Sequence, residues 1–180
     1  MQKKILITGG SGLLAFNWAL STRSNYAVTL LLHHKKISLL GVETDIASLS
    51  SLDECSFILA KHQPDIVIHT AGLTNVEACE ANPDLAQEVN VDLAKNIAIA
   101  CSSQGVKLVH ISTDHLFSGD QEFSTEESST SPVNNYAKSK LLGEQQVLEN
   151  CKDALIIRTN FFGWGTKYRQ SFSDFILDKL

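Results

Sequence analysis

Long apolar runs, paired cysteines and cationic clusters are all missing from this chain of 180 residues. The first apolar stretch, Ile5-Leu6-Ile7, meets Thr8 and Gly9 too soon for a signal-peptide core or a membrane span. A cytoplasmic protein without membrane association is therefore expected. Cys55, Cys79, Cys101 and Cys151 stand far apart with no Cys-x-x-Cys pair, and the histidines show no His-x-x-x-His spacing. These patterns favour buried thiols over a disulfide framework, and no metal site is expected. The formal charge is -5 and no long run of Lys or Arg occurs, which argues against a nucleic-acid surface and leaves small molecules as the expected ligands. No repeat and no linker divides the chain.

What is present is an alternation of apolar strands with helical patterns. Residues 3–8 read as a strand running into Thr8-Gly9-Gly10-Ser11-Gly12, followed by helical periodicity from Leu13 to about Arg23. A second strand is expected at Ala27 to Leu32, a third ending at Thr44-Asp45, and a helix from Ser50 to His62 that Pro64 stops. Asp65 to His69 reads as a buried strand. Residues 75–83 read as a loop, and Leu85, Val89, Leu93, Ile97 and Cys101, spaced every four residues, mark one long helix ending near Gly105. A fifth strand at Val106 to Ile111, a long polar loop over 118–135, a helix carrying Tyr136 and a sixth strand at Ala154 to Arg158 follow. This order predicts an α/β fold, a doubly wound parallel sheet with ligands at the carboxyl ends of its strands.

Three features at those strand ends carry chemistry. Gly9-x-x-Gly12-x-x-Ala15 is a loose dinucleotide fingerprint: Gly9 permits the tight turn, Gly12 admits a pyrophosphate to a helix N-terminus, and Ala15 lets that helix pack closely. The Gly-Lys-Ser/Thr of a Walker phosphate loop is absent. After strand two the chain reads His33-His34-Lys35-Lys36, with potential cations and no carboxylate, which favours NADP(H) over NAD(H), a solvated basic turn being the plainer alternative. Ser112 and Thr113 place hydroxyls at the end of strand five. Tyr136 and Lys140, four residues apart on a helix, share a face with Cβ atoms roughly 6 Å apart. A lysine ammonium there is expected to lower the phenol pKa and equip Tyr136 to transfer protons.

Together Thr8-Gly9-x-x-Gly12-x-x-Ala15, Asp45-Ile46, Thr113 and Tyr136-x-x-x-Lys140 resemble the extended short-chain dehydrogenase/reductases. Ala71-Gly72-Leu73-Thr74-Asn75-Val76-Glu77, Asn90-Val91, Ser112 to Gly119 and Pro132-x-Asn134-x-Tyr136-x-x-x-Lys140-Leu141-x-Gly143-Glu144 are similar to the dTDP-4-dehydrorhamnose reductase family. That resemblance implies a Rossmann-type fold and NAD(P)H-dependent reduction of a nucleotide-activated 4-keto-6-deoxy sugar, a step of dTDP-rhamnose biosynthesis. It implies Thr113, Tyr136 and Lys140 as catalytic residues and Asp114 as a substrate contact. It also implies Gly12, Leu13 and Leu14 at the cofactor pyrophosphate, Asp45 and Ile46 at the adenine, and Ala71, Gly72 and Leu73 along the path to the nicotinamide, with Tyr136 and Lys140 sharing that site. His115 stands where the family usually has tyrosine, which opens the sugar specificity. The same resemblance extends to the non-catalytic regulatory β subunit of methionine adenosyltransferase. A nucleotide-sugar epimerase or 4,6-dehydratase is a further alternative, though a dehydratase is expected to place a glutamate after Thr113-Asp114. The expected organisation is an NAD(P)-binding domain over residues 1–165 and the start of a C-terminal substrate-binding region over 166–180, with a helix beginning near Gln170 and most of that region missing. Apolar surface exposed there is expected to favour a homo-oligomer.

Overall fold

A computed structural model describes residues 2–120, 122–165, 168 and 171–180. Six strands, β1 (Lys4–Thr8), β2 (Ala27–Leu32), β3 (Glu43–Ile46), β4 (Ile66–His69), β5 (Lys107–Ser112) and β6 (Leu155–Arg158), form one parallel sheet in the order β3-β2-β1-β4-β5-β6. That is the doubly wound order of a dinucleotide-binding fold, with its switch point between β1 and β4.

Because successive strand residues point to opposite faces, each strand feeds two cores. Leu6, Val67 and Leu108 pack with Leu59, Ile97 and Val147 of helices α2 (Leu52–His62), α5 (Leu93–Gln104) and α6 (Asn135–Asn150). Ile5, Ile7, Leu30 and Ile68 pack on the other face with Ala15 and Ala19 of α1 (Leu13–Thr22). Full burial of such a Leu or Ile contributes roughly 2 kcal/mol. Ala15 packs against the sheet as the fingerprint predicts, and Ala19, one turn on and outside the fingerprint, is buried beside it. All four cysteines are buried and free, three of them within the first of these cores.

Local signals explain most boundaries. At α2, Ser51 Oγ accepts the Glu54 N–H while the Glu54 carboxylate accepts the Ser51 N–H, a reciprocal cap. Residues 75–83, expected as a loop, instead form the short helix α3 (Val76–Ala81) and the start of α4 (Pro83–Gln87). The reason is in the caps: Asn75 Oδ1 accepts the Ala78 N–H at 2.6 Å and Asn82 Oδ1 accepts the Leu85 N–H at 3.1 Å, with Pro83 in the first turn. The single long helix expected through Leu85 and Cys101 is also corrected, since a π-helical turn at Glu88–Asp92 separates α4 from α5. That extra residue per turn rotates the buried face. Leu85 is 38% exposed, while Ala86, Asn90 and Val91 turn inward and Ile97 and Cys101 keep their expected burial. The expected domain boundary at Thr166 and helix start near Gln170 lie outside the described residues. A described helix, α7 (Phe172–Leu177), follows, capped by Ser171 and Asp174. Among the described residues no helix is long and apolar enough to cross a membrane.

Candidate active site

The carboxyl ends of the strands surround a cavity of about 720 Å³. Its floor at one end is the turn between β1 and α1. Gly9 has φ +65°, and a Cβ there would stand 2.9 Å from the Ala71 backbone, so both its conformation and its neighbour require glycine. Gly12 caps α1 without any side-chain hydrogen bond, and no acidic residue lies in the first turn. Among the described residues, the first N–H groups of this ten-residue helix have no side-chain cap, and they lie at the positive end of the helix dipole.

The other end of the cavity carries the hydroxyl, phenol and ammonium. Thr113 directly follows β5 and caps a 3₁₀ turn at Asp114–Leu116, its Oγ1 accepting the His115 N–H at 3.2 Å. Asn134 caps α6 by accepting the Ala137 N–H, and Glu80 of α3 accepts both the Asn135 backbone and side-chain N–H groups at 2.6 and 2.8 Å. The first turn of α6 thus starts from a clamped point, with Tyr136 inside. The Tyr136 ring meets His115 edge-on, with ring centroids 5.7 Å apart. Lys140 is buried and its ammonium donates to the Ile111 carbonyl at 2.7 Å.

The electrostatics of the pair differ from the sequence expectation. Burial pushes the Tyr136 phenol up, and the Thr113 hydroxyl only partly pulls it back. Burial also pushes Lys140 down to about 8, against the opposing carboxylate of Glu144. The expected lowering of the phenol by the ammonium is therefore not what this geometry produces. Tyr136 is held as a neutral phenol, a proton donor at neutral pH, beside a lysine whose own charge is easily lost.

Asn90, quoted from a sequence motif without a role, joins the two ends. Its Oδ1 accepts the Leu73 N–H at 2.8 Å, and its Nδ2 donates to the Leu73 carbonyl at 3.0 Å and to Ser139 Oγ at 2.9 Å. The loop after β4 is thereby tied to α6 one residue before Lys140. Gly143, one turn further, faces the Asn90 carbonyl so closely that any Cβ would overlap it.

Of the residues singled out from sequence, Gly9, Gly12, Leu13, Leu14 and His33 line the cavity, as do Ala71 and Gly72. Thr113, Asp114, His115, Tyr136 and Lys140 line it as well. Asp45, Ile46 and Leu73 are not on its wall. The Asp45 carboxylate is engaged by Lys61 and His62 at 2.6 and 2.8 Å, and Ile46 is half exposed. Leu73 packs beside Cys79, Ala86 and Tyr136. In place of Asp45 and Ile46 the wall carries residues 47–50, immediately downstream. Sequence reasoning also missed Thr159, Asn160 and Phe161, which line the cavity after β6. Their position just past a strand's carboxyl end was the available signal. Glu88 and Asp92 reach the wall from the π-helical turn, which the four-residue spacing had concealed.

Comparison with known proteins places these features in context. A family model described as the RmlD substrate binding domain matches residues 3–180. The dTDP-4-dehydrorhamnose reductase of Salmonella typhimurium is 39% identical over 102 residues, covering 56% of this chain and 34% of that enzyme. Methionine adenosyltransferase 2 subunit beta of Rattus norvegicus is 30% identical over 183 residues, 99% of this chain and 53% of that subunit. Among solved structures, a dTDP-4-dehydrorhamnose reductase from Bacillus anthracis in complex with NADP superposes with a TM-score of 0.81 at 30% identity, covering 99% of this chain and 60% of that one. The chain spans about half the length of the curated relatives that match most of it.

Proposed function

The chain belongs to the RmlD substrate binding domain family, and from that premise we propose that it is the dinucleotide-binding part of an NAD(P)H-dependent reductase acting on a nucleotide-activated 4-keto-6-deoxy sugar. The observation that supports this reading most directly is the single cavity wall shared by Gly9, Gly12, Thr113, Tyr136 and Lys140. The fit to a dinucleotide rests on the glycine cradle and on the helix N-terminus with no side-chain cap. In this reading the residues up to 165 hold the cofactor and 166–180 begin the sugar-binding region. Gly9, Gly12, Leu13 and Leu14 would hold the pyrophosphate, residues 47–50 with Asp45 and Ile46 behind them the adenine side, and Ala71 and Gly72 with Leu73 the path to the reacting end. His33 on the wall and Lys35 nearby favour NADP(H), the cofactor in the Bacillus anthracis structure.

When bound, a nicotinamide dinucleotide supplies the hydride. The chain's own residues do the rest. Tyr136 donates its phenolic proton to the oxygen of the carbonyl being reduced. Thr113 hydrogen-bonds that same oxygen as charge develops, a contribution of about 3 kcal/mol for one preorganised donor. Lys140 supplies positive charge behind the phenolate that forms. Asp114 and His115, at the mouth, contact the sugar.

Calorimetric titration of the purified chain with NADPH and NADH tests the cofactor half, with NADPH expected to bind more tightly; binding of neither below millimolar Kd would refute it. Tyr136→Phe should keep that binding and lose about 10²- to 10⁴-fold in sugar-dependent NADPH oxidation, and unchanged turnover would refute the proton-donor role. A second reading, a regulatory dinucleotide-binding subunit, is favoured by the likeness to methionine adenosyltransferase 2 subunit beta over 99% of the chain. Co-purification with a catalytic partner, without turnover of any keto sugar, would select it.

A further inference from the structure

The sheet face covered by α5 and α6 changes character toward the carboxyl ends of the strands. Leu6, Val67 and Leu108 are register partners in the apolar core. Two residues further on, the same face carries Thr8, His69 and His110, again register partners across β1, β4 and β5. Beyond His110 on that face come Ser112 and its partner Arg158. Above this polar layer lie Lys140, whose charge acts on both imidazoles, and Glu144, which pairs with Arg158 at 2.8 Å.

The layer is buried, yet its hydrogen bonding within the protein is incomplete. Thr8 Oγ1 accepts the N–H groups of Thr70 and Ala71, each at 3.2 Å, so its own proton goes to His69 Nδ1 at 2.8 Å. Neutral His69 then carries its proton on Nε2, where no protein acceptor stands among the described residues. Both ring nitrogens of His110 and Ser112 Oγ are also without a protein partner among the described residues. The two imidazoles stack at 26° with centroids 5.3 Å apart, so they do not hydrogen-bond each other. His69 and His110 are each 1% exposed and Ser112 4%.

We propose that His69, His110 and Ser112 form a built site for internal water beneath Lys140, and that water held there hydrates and positions the Lys140 ammonium. The proposal deepens the reductase reading and rests on it for the role of Lys140; the water site itself stands on the geometry. Buried polar groups without protein partners are met by ordered water where two to four of them share a polar space large enough to hold it. Here the layer offers a donor at His69 Nε2, a donor and an acceptor on His110, and the Ser112 hydroxyl, with the two rings 5.3 Å apart between centroids. The ammonium has three donors, of which the Ile111 carbonyl takes one. Water in this layer can accept another. Ser112 and Lys140 also line the main cavity, so the layer meets the cleft from below.

Other groups facing Lys140 are accounted for. Glu144 acts from its own helix and is itself paired with Arg158 of β6, while Tyr136 and Asp114 stand at the cavity. The segment packed on α6 presents uncharged Asn90 and Ala94 at Gly143, while its Glu88 and Asp92 carboxylates reach the wall of the cavity that Lys140 also lines. Burial and the Lys140 charge hold His69 and His110 neutral. Replacing either histidine removes no charge, and a change in the titration of Lys140 then reports its hydration.

The test is NMR on the full chain with ¹⁵N-labelled lysine and histidine. Wild-type protein should show magnetisation transfer from water to ring N–H protons of His69 or His110. His110→Leu should abolish that transfer and lower the Lys140 midpoint by about half a pH unit, a threefold loss of proton affinity. Ser112→Ala should shift the midpoint in the same direction by less. Absent water contact, together with an unmoved Lys140 midpoint in variants that melt like wild type, overturns the proposal. Should His110→Leu not fold, Ser112→Ala and His110→Asn decide it on the same readouts. The cofactor reading fails separately, through the NADPH and NADH titrations, and leaves this measurement intact.

Discussion

At the scale of single residues, Asn90 shows how one amide can do what a sequence motif only hints at. Buried at 1% exposure, it satisfies both backbone groups of Leu73 and the hydroxyl of Ser139. Asn90→Leu would leave the Leu73 N–H and C=O without these partners, and a loss of about 3 kcal/mol in urea unfolding is expected. The glycines, Thr113, Tyr136 and Lys140 were legible because their chemistry is tied to their residue type and to strand ends that the apolar pattern reveals. Asn90 was not, since a polar residue inside a helical pattern reads equally well as a solvated position. The direction of the Tyr136 shift was also hidden. Sequence spacing gives the distance to Lys140, whereas burial, the larger cause, depends on how α6 seats on the sheet.

The elements follow the sequence closely wherever an apolar run is bounded by glycine, proline or a capping residue, and all six expected strands are present. Reading failed at Glu88–Asp92 because a fixed four-residue spacing assumes an uninterrupted α-helix. The π-helical turn breaks that period and brings Glu88 and Asp92 to the cavity wall. Against this turn α6 packs through Gly143, whose missing side chain makes room for the Asn90 carbonyl. Gly143→Ala is therefore expected to destabilise the fold by about 2 kcal/mol through overpacking. It should also weaken dinucleotide binding, because Lys140 lies less than one turn away. Chemical denaturation and calorimetry on the same variant would separate the two effects. Wild-type stability in Gly143→Ala would mean that α6 does not seat as described.

For the whole molecule, the buried polar layer is expected to contribute to the response to acid. Burial first, then the charge of Lys140, depresses the His69 pKa to about 3, and burial with the same charge lowers His110 well below its ordinary value. In the unfolded chain both titrate near 6.5. The folded pKa is the lower one, so the unfolded state takes up protons first as pH falls. The stabilisation is fully present above about pH 6.5 and is lost on acidification toward the folded pKa, down to about 3 for His69. Each histidine makes stability fall by up to about 1.4 kcal/mol per pH unit in its window. Urea midpoints measured from pH 7 to pH 4 should decline accordingly, and His69→Gln should flatten the decline; an unchanged slope would assign acid sensitivity elsewhere. The clamp that Glu80 and Asn90 place on α6, with Gly143 as the point of close approach, has a separate consequence for the segment that precedes this helix. The polar stretch from Ser118 to Pro132 does not have to measure out where Tyr136 sits, because helix α6 is anchored by Glu80 and Asn90, which lie outside that stretch. The stretch can therefore change in length or composition without displacing Tyr136 and Lys140.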